Sequence, residues 1–167
     1  MKYKNYIILF IISVFTVLFT LYFCKIYRNS LSNIDDSSID DILINVTGNS
    51  YDELYNNIDN YNKEYDSYVI YIASYKKNDV STLESNLKRI VVDGGYKNVL
   101  YINTDELKNY EYLNRLVSDF SDGAISSVKM SDLPAFVSFK NESVIDVVSI
   151  STMDDEHIID FLEGFND

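Results

Sequence analysis

Tyr68–Val80 reads YVIYIASYKKNDV. Its first six residues, Tyr68–Ala73, are an unbroken apolar run of β-branched and aromatic side chains, the pattern of a central strand buried on both faces. A polar loop follows, and Ser81-Thr82-Leu83-Glu84 beyond it has the spacing of a capping box. A helix is predicted from there, with Leu83, Leu87, Ile90 and Val91 on one face and Gly94-Gly95 as its stop. Asn98–Ile102, NVLYI, repeats the buried-strand pattern. Two such strands joined by a helix must pair in parallel, because the crossover returns the chain to the same end of the sheet.

Working outward, Ile42–Val46 is a short strand, and Ser50-Tyr51-Asp52-Glu53 is a second capping box opening a helix with Leu54, Ile58 and Tyr61 on one face. A third helix carries Leu113, Leu116, Val117 and Phe120 before Gly123. Pro134–Phe139 and Val144–Ile150 are strands joined by Lys140-Asn141-Glu142, a connection short enough to make them an antiparallel hairpin. Thr152, with Asp155 three residues on, caps the last helix, whose apolar side is Ile158, Ile159, Phe161, Leu162 and Phe165. The order is βαβαβαββα, an α/β domain with a mixed sheet flanked by helices.

The amino-terminal segment belongs to another solvent. Tyr6–Cys24, YIILFIISVFTVLFTLYFC, carries no charge and as a helix matches the thickness of a bilayer's hydrocarbon. A cleaved signal peptide has a shorter apolar run of about 7–15 residues and a small-x-small site after it, which this stretch lacks. Bulky Leu21-Tyr22-Phe23 precedes Cys24, against a lipoprotein signal. The expectation is one uncleaved transmembrane helix, a signal anchor. Lys2, Lys4 and the terminal amine precede it and Lys25 and Arg28 follow, so the excess of basic charge puts the amino terminus inside and the domain outside the cell membrane. The expected organisation is an anchor over residues 1–28, an acidic tether NSLSNIDDSSIDD over 29–41, and a domain over 42–167.

Charge and cysteine content exclude several function classes. The 167 residues carry 14 Lys plus Arg against 26 Asp plus Glu, a net charge of -12. Setting aside Lys2, Lys4, Lys25 and Arg28 leaves ten basic against 26 acidic side chains, or -16 beyond the anchor. Such a domain is repelled by nucleic acid and by anionic lipid head groups. One cysteine, Cys24, excludes a disulfide scaffold and a multi-cysteine zinc site. Asp154-Asp155-Glu156-His157 gathers metal-ligand types, but a lone His beside carboxylates reads as the first turn of a capped helix, where the dipole favours acids. Asp35-Asp36 and Asp40-Asp41 lack the glycine and closing glutamate of a calcium loop. The sequons at Asn45 and Asn141 are expected by chance in an Asn-rich chain. No phosphate-cradling glycine loop or nucleophile elbow is present, so no metal and no cofactor are expected.

The element order, with the single proline opening the penultimate strand, resembles a thioredoxin-like domain over roughly residues 40 to 165. Tyr68–Ala73 resembles the strand leading into the redox motif, Leu133-Pro134-Ala135-Phe136-Val137 the cis-proline segment, and Val144–Phe165 the closing strand and helix. The chain is similar in particular to the membrane-tethered, bacteriocin-transport-accessory-like branch from low-GC Gram-positive bacteria. The resemblance implies a cis Leu133–Pro134 bond and lays the two motif cysteines on Lys76 and Asp79 or on Lys77 and Val80. None of these is a sulfur nucleophile, and Cys24 sits about fifty residues upstream at the membrane edge. The expected domain is therefore non-catalytic, and its candidate peptide-binding residues are Tyr75, Lys76, Lys77, Leu133 and Pro134, beside the segment 121–132. The expected role is a membrane-anchored accessory to secretion or export machinery that binds a protein or peptide. The alternatives are thiol-disulfide work through a partner's cysteines and a structural tether that oligomerises through its anchor.

Overall fold

The computed structural model describes residues 2–76, 80–125 and 127–166, and the chain divides into two compact units, Met1–Ser37 and Ser38–Asp167. The first is a single helix, α1, Lys2–Asp36. It contains the stretch Tyr6–Ile34, of mean hydropathy 2.7, long and apolar enough to cross a membrane. Its threonines fit that setting: the Thr16 and Thr20 hydroxyls each donate at 2.9 Å to the carbonyl four residues back, so neither polar group faces hydrocarbon unpaired.

Helix α1 runs through residues 29–36, which the sequence pattern assigned to an irregular tether. Asn, Ser and Asp are weak helix formers, but each costs only about 0.7 kcal/mol or less. Extending an existing helix avoids the nucleation penalty, so the long apolar segment carries the polar one with it.

The second unit opens with a 3-10 turn, Ile39–Asp41, capped by Ser38. Ser38 Oγ accepts from the Asp40 amide at 3.1 Å and the Asp41 carboxylate accepts from the Ser38 amide at 3.0 Å, while Ile39 is buried. The last acidic residues of the expected tether are thus part of the domain's packing. Because Ile42 and Leu43 donate back to Ile39, the strand expected over 42–46 shrinks to β1, Ile44–Asn45.

The remaining elements are α2 (Tyr51–Glu64), β2 (Ser67–Ala73), α3 (Ser81–Gly94), β3 (Val99–Asn103), α4 (Glu111–Phe120), β4 (Ala135–Lys140), β5 (Ser143–Ser149) and α5 (Asp155–Glu163). Among the described residues the strands form one sheet in the order β1-β3-β2-β4-β5. β1, β3 and β2 are parallel, and β4 and β5 are antiparallel additions. Every residue of β2 is buried, as its continuous apolar run requires. Tyr68, Ile70 and Ile72 pack with Leu54 and Ile58 of α2 and Leu116 of α4. Val69, Tyr71 and Ala73 pack with Leu87 and Val91 of α3 and Ile158 and Leu162 of α5. The period-2 alternation of the strand therefore feeds two cores, one on each side of the sheet. Asn141 and Glu142, with φ of 51° and 65°, form the two-residue turn between β4 and β5, whose left-handed twist matches the flanking strands.

Three predicted caps differ in detail. Ser50 does cap α2, accepting from the Glu53 amide at 3.2 Å, but the Glu53 carboxylate accepts from Asn49 N–H and not from Ser50. Helix α5 is capped by Asp154, whose carboxylate accepts from the His157 amide at 2.9 Å; Thr152 falls inside the preceding turn, closed by Met153 N–H to Ile150 O. Helix α3 begins after Val80, so Ser81 is its first residue and no box forms with Glu84. The Glu84 carboxylate turns inward instead.

Candidate functional site

The carboxyl ends of the two neighbouring parallel strands, β2 and β3, lie side by side, Ala73 opposite Asn103. β2 continues into α3 on one face of the sheet, whereas β3 continues into α4 on the other. Connections that diverge in this way leave a crevice beyond the strand ends, the usual place for ligands of such sheets. β4 starts at the same end, since Ala135 pairs with Ile72, which sets Pro134 beside it. The Leu133–Pro134 peptide is cis.

Asp105 ties the rim of this crevice together. Its carboxylate accepts from Ser74 Oγ and from Lys76 N–H, both at 2.9 Å. Thr104 adds a second tie, its amide and hydroxyl donating to Ala73 O at 2.9 and 3.1 Å. Partial burial pushes the Asp105 carboxyl up, but the Lys76 amide, the Ser74 hydroxyl and the Lys76 charge outweigh it and hold the group below the ordinary carboxylate range.

Of the residues singled out from the sequence, Tyr75 and Lys76 lie on this rim, Lys76 exposed. Lys77 lies outside the described residues, as do Asn78 and Asp79. Pro134 is buried and its carbonyl accepts from Ile150 N–H at 3.0 Å. Leu133 is buried in the core shared with α2 and α4. Tyr75 turns to the opposite face, so the two side chains are not brought together.

The most elaborate polar arrangement here was not anticipated. Glu84, only 8% exposed, accepts from Tyr71 Oη at 3.1 Å and from Tyr75 Oη at 2.9 Å through Oε1 and 3.1 Å through Oε2. Tyr101 Oη donates to Tyr75 Oη at 3.0 Å, completing a chain of donors that ends on the carboxylate. Tyr71 and Tyr101 are paired across β2 and β3 and their rings stack with centroids 5.7 Å apart. Desolvation raises the Glu84 carboxyl above its ordinary range, against the lowering effect of the Tyr75 and Tyr71 hydroxyls and of Lys88; Asp40 adds to the rise. Burial likewise raises all three phenols, Tyr75 to about 12. Two signals pointed here. Tyrosines inside fully buried strands must find partners for their hydroxyls, and Glu84 shares the inward helix face with Leu87 and Val91.

Elsewhere, His157 Nδ1 lies 2.7 Å from Asp154 Oδ1, and that hydrogen bond raises the imidazole's pKa. No group of three metal-ligating side chains is assembled among the described residues. A groove of about 390 Å³ between α3 and α5, edged by Asp93, Asp155 and Glu163 over Ile90 and Ile159, lies apart from the tyrosine cluster.

No protein-family model and no curated protein matches this sequence. Solved structures do. A mutant thioredoxin from Halobacterium salinarum aligns at a TM-score of 0.50 and 15% identity, covering 76% of this chain and 93% of that one. The thioredoxin Mala s 13 of Malassezia sympodialis aligns at 0.47 and 17%, covering 74% and 91%. A chain from a study of thiol resolution in yeast mitochondrial 1-Cys peroxiredoxin aligns at 0.48 and 15%, covering 77% and 100%. At such identities a match speaks to architecture alone, and with the strand order and helix placement above it makes the Ser38–Asp167 unit a thioredoxin-like fold.

Proposed function

We propose that the chain is a membrane-anchored, redox-inactive thioredoxin-like domain that binds an extended peptide or protein segment at the β2–β3 end of its sheet, as an accessory to secretion or export. The observation that carries this reading is chemical. A dithiol enzyme of this architecture needs a thiolate where a strand passes into a helix amino terminus, since the helix dipole and free amides there depress its pKa. Here that junction is Ser74 to Ser81, without a cysteine, and the chain's one cysteine lies in α1. What remains is a crevice with backbone and side-chain polar groups on its rim, suited to strand-like contacts. Helix α1 serves as the anchor, and the excess of basic residues before it favours the domain facing outward.

Two measurements test the proposal. Insulin reduction by the full-length protein carrying Cys24→Ser should stay at the level of the buffer, and turnover above it would restore redox chemistry. A photoreactive residue in place of Lys76 should crosslink a protein or peptide in native membranes, and one at the exposed Lys63 of α2 should not. Equal labelling from both positions would sink the binding reading.

A further inference from the structure

The Tyr75–Glu84 contact joins a rigid wall to a movable one. Tyr71 and Tyr101 are fixed by strand pairing and are almost wholly buried. Tyr75 sits on the loop after β2 and keeps 46% of its surface in solvent. Its hydroxyl both donates to Glu84 and accepts from Tyr101, so it covers the one carboxylate inside this face of the sheet. The flanking residues Ser74 and Lys76 are tied to Asp105. The loop is thus closed on two sides, and only the Tyr75 tie ends on a buried titratable group.

We propose that Tyr75 is a latch whose closure is set by the ionisation of Glu84: seated on the neutral carboxyl, it holds the loop against the sheet end, and when Glu84 gives its proton to water and hydrates, Tyr75 turns outward and the crevice rim opens. This rests on the peptide-binding reading for its use but not for its existence. The groups facing Glu84 are Tyr71 from β2, Tyr101 from β3, Tyr75 from the loop, Lys88 one turn further along α3, and Asp40 from the 3-10 turn. Lys88 favours the charged form and Asp40 opposes it. The direction follows from linkage. Burial in the closed form lifts the carboxyl above its hydrated value, so the closed form holds the proton more tightly and rising pH favours opening.

Hydrogen exchange of the full-length protein in nanodiscs, corrected for the intrinsic pH dependence of exchange, reads the latch without any peptide. In the wild type, protection of the Lys76 amide should fall as pH rises through the raised Glu84 range. In Glu84→Gln it should be flat with pH. In Tyr75→Phe it should be lower by about tenfold or more, the loss expected for a hydrogen bond to a carboxyl group. Amides of β2 and β3 serve as the folding control and should be unchanged. If Glu84→Gln does not fold, the wild-type pH series and Tyr75→Phe decide alone. Protection independent of pH in the wild type, or unchanged in Tyr75→Phe, overturns the latch. Neither result bears on crosslinking from Lys76, so the two readings fail separately.

Discussion

Replacing Tyr71 by Phe removes one oxygen from the buried tyrosine cluster and nothing else. The ring keeps its stacking on Tyr101 and its edge contact with Phe136, whose centroid lies 6.1 Å away. What is lost is the 3.1 Å donation to Glu84 Oε1, inside a site from which water is excluded. A hydrogen bond to a charged group is worth about 1.5–3 kcal/mol and one to a neutral group about 0.5–1.5 kcal/mol. The cost therefore depends on the state of Glu84. Below its model value of 4.5 the carboxyl is neutral in both folded and unfolded chains, and the smaller figure applies. As pH rises through the raised folded value the carboxylate must ionise with one donor fewer. Removing that donor raises the folded pKa further, so the folded state of the variant binds its proton more tightly than the wild type does, and its stability falls more with rising pH. For a unit the size of Ser38–Asp167, about 1.5–3 kcal/mol corresponds to roughly 6–10 °C in Tm. Calorimetric melts of the full-length protein in detergent at a series of pH values between acid and neutral would measure it. A destabilisation that does not grow with pH, or one near zero at neutral pH, would show that Tyr71 does not support the Glu84 charge.

Other substitutions probe the frame around the cluster. Glu142→Gly should raise stability by about 0.5–1 kcal/mol in a thermal melt, because a non-glycine residue at φ of 65° carries strain that glycine escapes, less glycine's greater chain entropy. Phe136→Ala should cost about 3–5 kcal/mol by denaturant unfolding, since its ring is fully buried between Tyr71 and Phe161. Asp154→Asn keeps a capping oxygen but removes the charge beside His157, so the imidazole's pKa, read by NMR titration, should fall towards its ordinary value.

Much of the architecture could be read from residue order because it rests on local periodicity. Tyr68–Ala73 and Asn98–Ile102 are apolar throughout, and only a strand covered on both faces tolerates that. The hairpin followed from the brevity of Lys140-Asn141-Glu142. The errors share one cause: a side chain with two uses was given the nearer one. Glu84 has the spacing of a cap partner, yet the buried phenols of Tyr71 and Tyr75 compete for it with better shielding from water. Thr152 has the spacing of a cap, but Asp154 is the residue whose backbone is extended at the helix entrance. Residues 29–36 have tether composition, yet they inherit a helix already nucleated. The candidate site was legible as a loop, through Tyr75 and Lys76, and illegible as a network, because the pairing of Tyr71 with Tyr101 depends on strand register.

The place of β2 in the sheet also has a consequence in time. It lies between β3 and β4, and both follow it in the chain. During synthesis, at about 5–20 residues per second, β2 waits several seconds with both edges unpaired before Lys140 completes its second neighbour. The carbonyl of Phe165, which accepts from Ser67 Oγ and from Asn98 Nδ2, closes the start of β2 only when the chain is nearly finished. A domain wired in this order stays open while it is being made, which suits a polypeptide that must pass a membrane as an extended thread before it folds.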